Sequence, residues 1–205
     1  MKTYLRLHFL ALCTLVALTA CQMSAPAARQ PPAPVAKQPP SMERVPTPAA
    51  AAAGKTNLAL SDGRGQQATW LNVTMTLHTG GAKVAGTQND IEYDPKQVAV
   101  AQTPAGKPDC QANKELGKEG TAFSFMPQGC RGAACTSVRA LVLSLSNVDP
   151  IPDGSELYTC RIQIPNNAHP GSARLSLARV GFSSPDGKSI PGTGTDSTIT
   201  IDPLR

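Results

Sequence analysis

The stretch GTQNDIEYDP sets Asp90, Glu92 and Asp94 at every second position, with Ile91 and Tyr93 between them. Carboxylates at that spacing share one side of a strand, because successive side chains of a strand point to opposite faces. Such a row can meet a basic partner or keep a sheet face solvated. Other candidates for chemistry are sparse. Past the N-terminal segment there are two histidines, His78 at a strand end and His169 in a turn before Pro170. No serine sits on a nucleophile elbow and no Gly-rich loop opens a helix, so an enzyme is not expected. Asp149 and Asp153 bracket a Pro-rich turn and could seat calcium, although turn aspartates do the same structural job without metal. No cofactor is expected. Trp70 alternates with Leu71, Val73 and Met75, which makes it the aromatic residue predicted to be exposed.

The elements that must position these residues are strands. Alternating apolar residues recur as Leu71, Val73, Met75 and Leu77; Phe123 and Phe125; Leu141, Leu143 and Leu145; and Tyr158, Cys160, Ile162 and Ile164. Leu175 and Leu177, then Ile199 and Ile201, complete the series. Two-residue periods bounded by Gly, Pro, Asn and Asp predict half-buried strands. Eight or nine short strands without helices predict an all-β fold of two packed antiparallel sheets, a β-sandwich. Cys110, Cys130, Cys135 and Cys160 fall within it. An even count in an exported protein implies two disulfides with three possible connectivities. Zinc is the competing reading, but C-x4-C is a loose spacing and no histidine is near. Cys130 and Cys135 flank the short loop RGAA, which a bridge would close, leaving Cys110 to pair with Cys160.

The N-terminus reads as an export signal over residues 1–20. Lys2 and Arg6 precede an uncharged apolar run from Phe9 to Ala20, too short to span a bilayer comfortably. Leu18-Thr19-Ala20-Cys21 resembles the lipobox of bacterial lipoproteins, which implies cleavage before Cys21 and lipidation of its thiol and new amine. Gln22 after it implies, by the same resemblance, the outer membrane of a diderm bacterium. Residues 21–56 form a Pro/Ala-rich segment with no apolar period, read as a semi-rigid spacer between anchor and domain. The formal charge of +5 is a property of this leader and spacer. From Asn57 onward thirteen basic residues balance thirteen acidic ones, which excludes a nucleic-acid binder.

Over residues 57–205 the order of features resembles a cohesin domain. The resemblance rests on VAGTQNDIEYDPKQVAV, FSF, VRALVLSLSN, DGSELYTCRIQIP, GSARLSLARVGFSSPDGKSIP and a terminal STITI. It implies a nine-stranded jelly-roll sandwich related to certain cellulose-binding modules. Cohesins dock dockerins, small calcium-dependent helical modules, through one sheet that includes the YDP strand. The four cysteines are closer to cohesin-like domains of non-cellulosomal bacteria. Carried onto this chain, the resemblance makes Gln88, Asp90 and Glu92 outward residues of the docking strand. It also makes the strand bearing Thr159, Arg161 and Gln163 its neighbour in the same sheet. A mixed polar face of this kind suits charge-selective docking, and it equally suits a solvated face that resists edge association. The alternative from another class is a polysaccharide-binding module, with Trp70 as its platform.

Overall fold

The structure is a computed structural model that describes residues 54–204. The export signal, Cys21 and the spacer up to residue 53 lie outside the described residues. Thirteen strands follow in chain order: β1 (Thr56–Leu60), β2 (Gly63–Gln66), β3 (Trp70–His78), β4 (Gly86–Glu92), β5 (Ala99–Val100), β6 (Cys110–Ala112) and β7 (Ala122–Met126). The remainder are β8 (Ser137–Val142), β9 (Glu156–Gln163), β10 (Gly171–Ser183), β11 (Ser189–Ile190), β12 (Gly192–Thr195) and β13 (Ser197–Asp202). Eight of them have five residues or more, and all of these except β1 coincide with alternating runs read from the sequence. The five short segments carry too few residues to show a period.

Two sheets result. One runs β12-β1-β3-β9-β5 with β6 also on β9; the other runs β2-β13-β10-β4-β8-β7 with β11 on β10. Pairing is antiparallel except for β1 with β12 and β2 with β13, each parallel. The inner faces meet in one core. Leu58, Val73, Met75, Leu77, Tyr158 and Ile162 come from the first sheet, and Ile91, Val138, Val142, Leu175 and Ile199 from the second. Burying an aliphatic side chain of this size contributes about 1.5–3 kcal/mol, so the alternation is what holds the sheets face to face.

One predicted run has the opposite parity. In β8 and its continuation the buried residues are Val138, Ala140 and Val142, whereas Leu141 and Leu143 are half-buried and Leu145 is 93% exposed. The stretch ALVL is apolar at both parities, so its period does not choose a face. The inner face of this sheet takes the smaller side chains and turns the leucines outward.

Both expected disulfides are present. Cys110 and Cys160 are directly opposed across β6 and β9, with Cα atoms 4.0 Å apart. Cys130–Cys135 closes the loop between β7 and β8.

Candidate functional site

The outer face of β10-β4-β8-β7 is built in three cross-strand rows. Register aligns Gly181, Gln88, Leu141 and Ala122 in the first row, and Ala178, Asp90, Arg139 and Ser124 in the second. Ser176, Glu92, Ser137 and Met126 form the third. Gln88 and Glu92 are exposed, as the alternation predicts. Asp90 points to the same side yet is only 3% exposed, which corrects its expected place on an open surface. Arg139 covers it with a bidentate pair, Nε to Oδ1 and Nη2 to Oδ2, both 2.8 Å. The hydrogen bonds from Arg139 to Asp90 hold its guanidinium proton more tightly than usual.

A second arginine reaches Asp90 through a fault in β10. Pairing shifts between Ala178 and Gly181, so Arg179 and Val180 both oppose Asn89. Arg179 occupies the left-handed region at φ 51°, where a non-glycine residue costs on the order of 1–3 kcal/mol. The bulge re-aims its side chain, placing Nε 3.4 Å from Asp90 Oδ2. The row of acids is therefore no simple negative stripe. Its centre is a carboxylate held between two guanidinium groups, with Glu92 exposed beside it.

Next to this cluster lies a recess of 270 Å³ floored by Gly86, Gln88, Leu141, Leu143 and Gly181. Gly181 carries no side chain where a Cβ would meet nothing within 4 Å. The leucine rim is held from behind. Glu119 accepts hydrogen bonds from the hydroxyls of Ser144 and Ser146, which draw its carboxyl down to about 2. Buried Lys118 donates to the carbonyls of Asn147 and Asp149, both at 2.8 Å. Leu145 and Val148 remain exposed on the loop so anchored.

The other expected group sits elsewhere. Thr159, Arg161 and Gln163 do face outward from β9, but β9 belongs to the opposite sheet from β4. The two strands meet across the core, where the Tyr158 hydroxyl donates to Asn89 Oδ1 at 3.0 Å. Residues 88, 90 and 92 and residues 159, 161 and 163 consequently lie on opposite outer faces and cannot form one surface. The neighbour relation carried over from the cohesin resemblance is therefore wrong for these two strands, and their long sequence separation carries no register information that could have corrected it. Arg139, Leu141 and Arg179 were missed for local reasons: the leucine parity turned Arg139 and Leu141 to the wrong face, and the bulge hid Arg179.

Trp70 is 46% exposed, as predicted, with the Arg161 guanidinium 4.3 Å from its ring centroid. His78 and His169 are exposed. Asp153 Oδ1 accepts from the backbone N–H and hydroxyl of Thr79, at 2.5 and 3.1 Å, so it caps the turn after β3. Among the described residues no three His, Cys, Asp or Glu side chains are grouped to hold a metal ion.

No protein-family model and no curated protein matches the sequence. Solved structures do match in shape. The sixth cohesin of Acetivibrio cellulolyticus scaffoldin B, solved in complex with a dockerin, is similar at TM-score 0.58 and 15% identity, covering 73% of this chain and 100% of that one. The domain has the cohesin fold. A non-cellulosomal cohesin of Archaeoglobus fulgidus gives TM-score 0.53 at 16% identity over 73% and 92% of the two chains. A type I cohesin–dockerin complex from Clostridium thermocellum gives 0.57 at 12% over 73% and 100%. Within this cohesin fold the YDP signature is a structural corner. Tyr93 is buried, which pushes its hydroxyl upward. Asp94 folds the chain back, its carboxylate accepting from Lys96 N at 2.9 Å and its carbonyl from Gln97 N and Val98 N.

Proposed function

We propose that this domain docks a small protein module of the dockerin class on the outer face of β10-β4-β8-β7, and does so from a lipid anchor in the cell envelope. One observation carries the docking reading: an apolar recess and leucine rim lie beside a charge cluster whose geometry is already fixed. Apolar contact supplies affinity, and pre-paired charges supply orientation without free side chains having to be ordered on binding. Solved cohesins of the same fold are recorded in complexes with dockerins, which supports a partner of that kind. The reading is of a binding module rather than a catalyst. The anchor rests on the Cys21 motif, the uncharged run before it and the proline-rich segment after it; Gln22 supports the outer membrane.

Gly181 offers the direct test. Its missing side chain faces open space, so Gly181→Trp fills the recess without entering the core. Titrating dockerin modules in calcium against the domain should give saturable binding by calorimetry. Gly181→Trp should weaken it at least 100-fold while stability stays within about 0.5 kcal/mol. Full affinity with the recess filled would move the docking surface elsewhere, and absence of binding to any dockerin would remove the partner class.

A further inference from the structure

The opposite face holds a second recess that docking leaves unused. Its floor is the cross-strand row Trp70, Gln163 and Ala99, from β3, β9 and β5. Gln102 and Asn167, both exposed, also line it, and the disulfide-closed loop at Gly132 and Ala133 forms a wall. The volume is 480 Å³, inside the roughly 300–1,000 Å³ of small-ligand sites.

We propose that this recess binds a short saccharide, stacked on Trp70 and hydrogen-bonded by Gln102, Gln163 and Asn167. The indole face is electron-rich and attracts the weakly positive C–H groups on one side of a pyranose ring. A carboxamide both donates and accepts, which matches a hydroxyl that does both. Three amides around one indole are therefore a chemical complement to a polyol. Charge argues the same way. Lys96 is the charged side chain among the lining residues, and Arg161 is engaged with the indole and with Asp109 at 3.5 Å, so a phosphate ligand finds no cluster of free cations. A proline-rich peptide is the nearest rival, but grooves for such peptides are lined by several aromatic rings, and this one has a single ring. The platform is also set before any ligand arrives, because Arg161 fixes one side of the indole and Cys130–Cys135 fixes the wall.

Trp70 is the one tryptophan in the 205-residue chain, so its fluorescence reports this recess alone. The mature chain, held in a non-glycosidic detergent, is titrated with cellotetraose, triacetylchitotriose and maltotriose. The expected result is a saturable emission change with at least one of them, at a Kd on the order of a millimolar. Gln163→Ala and Asn167→Ala should each raise that Kd at least fivefold with unchanged melting. Gly181→Phe, which fills the far-face recess without adding a second tryptophan, should leave it unaltered, so failure here and failure of the docking reading are separate results. A linear response to all three sugars up to roughly 20 mM, well past that Kd, overturns the proposal. Saturation by a peptide of residues 22–56 in place of any sugar overturns it as well.

Discussion

A carboxylate enclosed by two guanidinium groups responds to substitution differently from one on an open sheet. Asp90→Asn leaves Arg139 and Arg179 facing each other with no counter-charge. Breaking one side of a buried pair costs about 3–5 kcal/mol, and the partial exposure of Arg139 puts this case at the lower end of that range. Asp90→Lys adds a third cation and should destabilise further. Glu92→Lys, at an exposed position with no ion pair among the described residues, should stay within about 0.5 kcal/mol. Denaturant melts of the three variants check this, and equal midpoints would mean that Asp90 is solvated after all. Glu119 gives the pH dependence. Its carboxyl is held at about 2 in the folded chain, against 4.5 ordinarily, first by Ser144 and then by Ser146. A depressed carboxyl stabilises fully above its unfolded value and loses that contribution as pH falls through the folded one. Asp153 and Asp196 are shifted the same way by backbone hydrogen bonds from Thr79 and Leu177. The melting temperature should therefore fall between pH 4.5 and 2, and less steeply in Glu119→Gln.

The disulfides act on elements, and they differ in reach. Cys110–Cys160 spans a separation of 50 residues, Cys130–Cys135 one of 5. On the chain-entropy account the longer bridge contributes about 4 kcal/mol and the shorter about 2 kcal/mol. Replacing Cys110 and Cys160 together by Ala should cost roughly twice what replacing Cys130 and Cys135 does, by denaturant titration. It should also free the three residues of β6 from β9, visible as faster amide exchange there. These strands mark the limit of what pattern could tell. β3 and β9 were legible because large apolar residues alternate cleanly with Asn72, Thr74, Thr159 and Arg161. In β8 the period was readable but its phase was not, since leucine lies at one parity and valine and alanine at the other. The bulge at Arg179 has no sequence signature, because arginine is an unexpected residue for a left-handed position. Which strands share a sheet depends on long-range pairing, and the β4–β9 neighbourhood failed on that ground.

At the scale of the whole chain, the anchor is a question of chemistry at Cys21. On the proposed anchor, Cys21→Ser should abolish lipid labelling and release the protein from the membrane fraction, because the thiol would be the acceptor of the first lipid. Membrane retention of the unlabelled variant would end the lipoprotein reading. The folded domain itself presents two outer faces with a core between them, so a ligand on Trp70 cannot displace one over Asp90 and Gly181. Occupancies on the two sides add instead of competing. With both proposed ligands bound, two attachments on one body would act with avidity: the second would form at the effective concentration set by the first. On a surface that offers both ligands within reach, retention can exceed either single affinity by roughly 10²–10⁴-fold, and removing either face alone returns the chain to ordinary, short-lived encounters.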